Sequence, residues 1–233
     1  MITDGYYNGF LLTINNEKTD VSKLNITILS AKKISDNLVA ITSEKILSKE
    51  KKDITIIYDI VNNKQIQEFD DIIFTNIKMF NDQKGVLTTA DLKTYWVSNN
   101  NYVTLKLLDF KSTGLDFLNS KTIIATSETS SYQINIDGTF SVLKHSGEFD
   151  FCSNNLGIVF NYDESYLISQ EPITNELNYT QIKINNLPIN LYDYRTPVVV
   201  VSEGYLMFSV NTNGEYKSYV IDKTGNNVEN FSY

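Results

Sequence analysis

With 233 residues, 42% of them hydrophobic, the chain is long enough for one sizeable core or for a ring of small units. A single cysteine, Cys152, excludes an internal disulfide framework, and a net charge of −8 argues against nucleic acid as a direct ligand, since phosphate backbones would be repelled. The longest apolar run, near residues 197–201, is far short of a bilayer span, so no membrane insertion is expected.

Aromatic residues make up 12% of the chain and are mostly Tyr and Phe, a composition that favours strands over helices. Met1 is followed by Ile2-Thr3-Asp4, not by a basic and then apolar leader, which places the expected location in the cytoplasm or on a virion. Residues 7–14 match residues 203–210 in pattern, and residues 25–29 echo residues 53–57, so the chain opens on a truncated copy of something repeated later. The first full copy begins at the turn Asp36-Asn37, runs through an apolar strand to Thr42, and reaches a second strand containing Tyr58-Asp59-Ile60. Between them the charged residues 43–53 read as a long solvated hairpin loop. The next copies follow the same order: a turn at Asp82-Gln83-Lys84-Gly85 and a strand with Tyr95-Trp96-Val97, then a turn at Asn119-Ser120-Lys121 and a strand with Tyr132-Gln133-Ile134. A turn at Asn154-Asn155 leads to Tyr166-Leu167-Ile168, and a last one at Ser202-Glu203-Gly204 leads to Tyr219-Val220-Ile221. Asn, Asp and Gly tolerate the left-handed backbone that such tight hairpins use.

The tyrosines are spaced by 37, 37, 34 and 53 residues. A unit of this length made of short strands cannot bury its own apolar face and must stack on copies of itself. Each unit reads as four antiparallel strands joined by hairpins, which predicts an all-β chain: one β-propeller domain over residues 1–233, with about five blades, six being also compatible. The period breaks once, over residues 170–197, which contain Pro172, Pro188 and Pro197, so an irregular insertion between the last two blades is expected there.

Short matches to known propeller repeats occur in single copies. Tyr95-Trp96-Val97-Ser98 resembles the Tyr-Trp-Thr-Asp strand of one propeller family, and the eight residues from Ser218 to Gly225 resemble a WG-type strand and turn without its tryptophan. Asn135-Ile136-Asp137-Gly138-Thr139-Phe140 is similar to the aspartate box of sialidase-type propellers, but its spacing before the glycine marks an ordinary hairpin turn.

Catalytic and cofactor chemistry finds little to build on. His145 is the only histidine, and with one cysteine it cannot supply the usual zinc ligands, so no metal, no cofactor and no catalytic residue is expected. Adjacent carboxylates such as Asp70-Asp71 point to opposite faces of a strand and cannot converge on one bond unless they sit in a turn. Charge is skewed: residues 1–121 hold 15 Lys or Arg against 15 Asp or Glu, whereas residues 122–233 hold 5 against 13. That asymmetry suits docking against a basic protein partner in a larger assembly. Hot spots favour Arg and aromatics, so the expected contact residues are Tyr192, Tyr194 and Arg195 in the insertion, Arg195 being the only arginine, with Trp96 as the alternative on a strand. Richness in Asn, Ile and Lys suggests an AT-rich genome, as in low-GC bacteria and their phages. The expectation is a non-catalytic interaction module, such as an accessory component of a phage particle. A glycan-binding lectin is the alternative, and a carboxylate-type glycosidase comes third.

Overall fold

The computed structural model describes residues 11–14, 17–20, 27–47, 50–100, 102–127, 129–153, 156–160, 164–171, 174, 176–184, 187–188, 199–202, 205–212, 215–222 and 224–232. Regular structure among them is all strand. A two-stranded ladder, β1 (Leu11–Ile14) and β2 (Glu17–Asp20), precedes the first four-stranded sheet. That sheet is β3 (Thr27–Lys33), β4 (Leu38–Leu47), β5 (Glu50–Asp59) and β6 (Lys64–Asp70). The second is β7 (Phe74–Asn81), β8 (Lys84–Thr89), β9 (Lys93–Asn100) and β10 (Tyr102–Lys111). The third is β11 (Gly114–Asn119), β12 (Thr122–Thr126), β13 (Ser131–Asn135) and β14 (Phe140–Val142). The fourth is β15 (Glu148–Ser153), β16 (Leu156–Phe160), β17 (Ser165–Gln170) and β18 (Leu177–Gln181). A small ladder, β19 (Lys183–Ile184) with β20 (Leu187–Pro188), leads to the fifth sheet, β21 (Val199–Ser202), β22 (Tyr205–Thr212), β23 (Glu215–Asp222) and β24 (Asn227–Ser232).

Each large sheet is an antiparallel meander in sequence order, and the recurring tyrosine sits on the third strand every time: Tyr58 on β5, Tyr95 on β9, Tyr132 on β13, Tyr166 on β17 and Tyr219 on β23. Three expected details come out differently. Residues 27–29 belong to the opening strand of the first full sheet, not to a separate truncated copy, because β3 pairs with β4 from Thr27↔Glu44 to Lys33↔Val39. Most of the charged stretch 43–53 is ladder and not loop: residues 43–47 of β4 pair with residues 50–54 of β5, out to Leu47↔Glu50. Lys52 on that extension places its ammonium 3.2 Å from Asp70 and 3.5 Å from Asp71, so the paired carboxylates are partners of a lysine. Part of the 170–197 stretch is regular, since Leu177–Gln181 supplies the outer strand of the fourth sheet.

The apolar runs are continuous because both faces of these sheets are covered. Side chains alternate along a strand, so Val39, Ile41, Ile54, Ile56 and Tyr58 share one face of the first sheet and pack with Ala31. Ala40 and Ile57, on the other face, meet Phe74, Leu87, Val97 and Val103 of the second sheet. The fourth sheet repeats the arrangement: Val159 and Ile168 pack with Leu118, Ile124 and Leu143 of the third, while Ile158 and Leu167 pack with Phe208 and Ile221 of the fifth. The chain divides into two compact units, Met1–Leu115 and Asp116–Tyr233.

Polar groups drawn into the first unit are matched in pairs. Thr94 and Ser112 are fully buried with their hydroxyl oxygens 2.9 Å apart. Thr94→Val is expected to cost about 1–3 kcal/mol by stranding the Ser112 hydroxyl. Adding Ser112→Ala should recover most of that loss, because both partners are then gone. Thermal melts of the two single variants and the double form the cycle, and additive losses would show that the pair is not coupled.

Candidate functional site

The second unit contains a groove of about 740 Å³ between the outer strands of the third and fourth sheets. One wall is built by alternation. Gln133 and Asn135 on β13, with Ser141 on β14 and Leu143 just beyond it, fall on the same face of the third sheet and line the groove. Leu143 is buried and anchors that wall in the apolar cluster with Phe149, Val159 and Ile168. The other wall is Thr174, Glu176, Leu177, Asn178 and Tyr179, leading into and along β18. Val142 stands at the rim and is 65% exposed.

Hydrogen bonds fix the polar lining. Gln133 Nε2 donates to Asn135 Oδ1 at 3.0 Å, and Asn135 Nδ2 donates to Thr139 Oγ1 at 3.1 Å. Thr122 Oγ1 donates to Gln170 Oε1 at 3.0 Å, and the Asn119 amide donates to the same oxygen, tying the third sheet to the fourth. The turn Asp137-Gly138 closes β13 onto β14, with Gly138 at φ 88° and the Asp137 carboxylate accepting from Thr139 N at 2.9 Å. The aspartate-box-like segment is therefore a plain hairpin turn.

One end of the groove is a stacked aromatic cluster. The His145 ring lies 3.7 Å from that of Tyr166 at 22°, and tilts against Tyr179 at 5.1 Å. Lys144 N donates to Tyr179 Oη at 3.3 Å across the gap. Tyr166 Oη donates to Glu164 Oε2 at 2.5 Å, and this bond, aided by burial, pushes the phenol up to about 12. Burial lowers the His145 pKa, Lys144 adds to that, and Glu164 opposes it. The His145 ring thus packs the connection from the third sheet onto two tyrosines of the fourth.

Of the contact residues singled out from the sequence, only Trp96 is among those described. Tyr192, Tyr194 and Arg195 lie outside the described residues. Trp96 is half-buried on β9, opposite Val86 and Lys106, with its ring 5.9 Å from Phe80. No cluster of three or more His, Cys, Asp or Glu that could hold a metal occurs among the described residues. No helix among them is long and apolar enough to cross a membrane. The groove-lining residues escaped the sequence reading because they come from segments over 30 residues apart, and only the stacking of two sheets brings them together.

No protein-family model matches the sequence, and no curated protein sequence matches it significantly. Solved structures do. The chain aligns over 91% of its length with a structure from a study of two prolyl endopeptidases, at a TM-score of 0.52 and 9% identity, covering 35% of that chain. Together with the five successive four-stranded meanders, this decides the architecture. The fold is a β-propeller. Two further matches are the β-propeller domain of the Trilobed protease from Pyrococcus furiosus and the acylaminoacyl peptidase from Pyrococcus horikoshii. The first has a TM-score of 0.43 at 8% identity, covering 89% of this chain and 84% of that one. The second has a TM-score of 0.41 at 10% identity, covering 89% of this chain and 46% of that one.

The likeness to a structure from a study of two prolyl endopeptidases runs against the expectation of a phage-particle assembly module, which is withdrawn. The physical reason is plain: residue usage that follows an AT-rich genome reports base composition and carries nothing about role.

Proposed function

We propose that the chain is a peptide-handling propeller of the peptidase-associated kind, a domain that engages polypeptide while the hydrolytic chemistry is supplied outside these residues. The observation that carries this reading is the groove of about 740 Å³, which has a sheet-ending strand along one wall and carboxamide and hydroxyl groups in its lining. Such a surface suits a polypeptide main chain, whose donors and acceptors recur at every residue. The likeness to a prolyl endopeptidase structure, of which this chain spans about a third, supports a partnership with a peptidase. The ring of His145, held between Tyr166 and Tyr179, is already engaged in packing, in keeping with a propeller that does not itself cut.

The test is fluorescence anisotropy of a labelled polypeptide in two states, one reduced and carboxymethylated so that it stays unfolded, the other native. Binding of the unfolded form in preference to the native one is expected, with no cleavage products on a denaturing gel. Equal indifference to both forms would remove the peptide-handling reading, and cleavage by the purified chain would remove the non-catalytic part of it.

A further inference from the structure

The strand β14 is the last of its sheet and all three of its residues are exposed. Its backbone pairing is set by two bonds that flank it: Asn135 N donates to Thr139 O at 2.9 Å, and Leu143 N donates to Ser131 O at 2.8 Å. Residues 139 and 143 therefore turn polar groups towards β13, and Ser141, opposite Gln133, does the same. In an antiparallel ladder this alternates residue by residue, so Val142 turns its backbone N–H and C=O groups away from β13. Such an outward donor and acceptor on an edge strand is a template for another strand.

The first unit shows what that kind of edge accepts. There β10 also ends its sheet, and the carboxamide of Gln67 from β6 pairs with it at two points: Gln67 Nε2 donates to Val103 O at 3.0 Å, and Gln67 Oε1 accepts from Val103 N at 3.1 Å. A side-chain amide has taken the place that a peptide group of a neighbouring strand would take. In the second unit, the outer strands β14 and β18 stand on either side of an open groove.

Charge selects the occupant. Glu176 lines the groove and Glu171 is held beside it, accepting from Asn178 Nδ2 at 3.1 Å, against the one cationic wall residue, Lys144. Residues 122–233 as a whole carry 13 acids against 5 bases. Such a field draws in and orients a cationic ligand.

We propose that β14 takes up an extended polypeptide segment of net positive charge as a fifth strand of the third sheet, paired to the outward backbone groups of Val142 and lying in the groove against β18. This rests on the peptide-handling reading and specifies its site and its ligand. Proline is tolerated on an edge strand where its missing N–H would face outward, so Val142→Pro removes the donor and blocks the added strand while leaving the bonds of Ser141 and Leu143 to β13 in place.

The experiment is anisotropy of a short fluorescein-labelled peptide alternating Lys and Thr, measured at low and moderate salt beside the labelled unfolded polypeptide. Wild-type protein is expected to bind it. Val142→Pro, with its melting temperature unchanged, is expected to weaken binding about tenfold, which corresponds to losing one or two hydrogen bonds. A peptide N-methylated at alternate residues should lose affinity similarly on the wild-type protein, a result that does not depend on how the variant folds. Replacing Lys by Glu in the peptide should weaken binding further, and added salt should narrow the difference. If both the peptide and the unfolded polypeptide bind but neither Val142→Pro nor N-methylation matters, strand addition at β14 is wrong and the peptide-handling reading stands. If neither ligand binds, that reading falls and takes this inference with it.

Discussion

Replacing Phe74 by alanine is expected to remove about 3–5 kcal/mol of stability, the usual range for emptying a buried aromatic site. Phe74 opens β7 and is 1% exposed. It packs with Ile34 of the β3–β4 turn, with Ala40 and Ile57 of the first sheet and with Leu87, Val97 and Val103 of its own, and its ring lies 5.6 Å from that of Phe69. The site cannot collapse easily, because the atoms around it belong to two sheets whose spacing is set by many other contacts. Urea unfolding of the variant should show an early transition with loss of the far-ultraviolet strand signal. Leu107→Ala is the control: Leu107 is 54% exposed on β10, and surface truncations of this sort usually stay within about 0.5 kcal/mol. Equal midpoints for the two variants would mean that the packing between the first two sheets is not where the stability of this unit lies.

Gly225→Val is expected to cost about 2–5 kcal/mol, from a strained backbone conformation and from overpacking together. Gly225 lies in the turn between β23 and β24 with φ at +73°, where a β-branched residue is an outlier. A Cβ there would also sit 2.7 Å from the Gln181 carbonyl oxygen and 3.1 Å from Thr180 Cγ2. The turn cannot simply lift off, because Gly225 O accepts from Lys183 N at 3.0 Å and so ties the turn to β19, just past the end of β18. Gly138→Asn provides the contrast. Gly138 has φ at 88° in the β13–β14 hairpin, and asparagine accepts left-handed backbone, so a loss below about 1 kcal/mol is expected. Thermal melts of the two proteins decide it, and comparable losses would show that the approach to Gln181 is not the cause.

The repeat was legible because its signal is local. A turn of Asn, Asp or Gly before an apolar run, and a tyrosine strand after it, recur within short segments, and each proves to be a second or third strand of a four-stranded meander. The segments misread were those where local chemistry and tertiary pairing disagree. Residues 43–53 look like solvated loop because of their charge, yet residues 43–47 pair with 50–54, and Lys52 reaches Asp70 and Asp71. The packing of the single histidine had no sign in the sequence, since nothing near it announces that the rings of Tyr166 and Tyr179 will meet it. Asp70 and Asp71 were read as pointing to opposite faces of a strand, but Asp71 lies in the turn past the end of β6, so both carboxylates reach the one Lys52 ammonium.

The groove shows the same division from the other side. The turn at Asp137-Gly138 and the short strand after it can be read directly, so the existence of an outer strand there follows from the residues. Whether that strand's edge would be covered could not be read. Gln67 reaches Val103 across 36 positions, and Tyr179 reaches Lys144 across 35, and neither contact has a sequence pattern of its own.

By itself, then, the sequence determined that this is an all-β repeat chain, its period, and the place of its hairpins, since alternation and turn chemistry act between residues close along the backbone. Tertiary structure alone decided which faces are sealed, which side chains bracket a strand edge, and where an edge lies beside open space. Those outcomes depend on how neighbouring sheets stack, and stacking joins residues that no local rule relates.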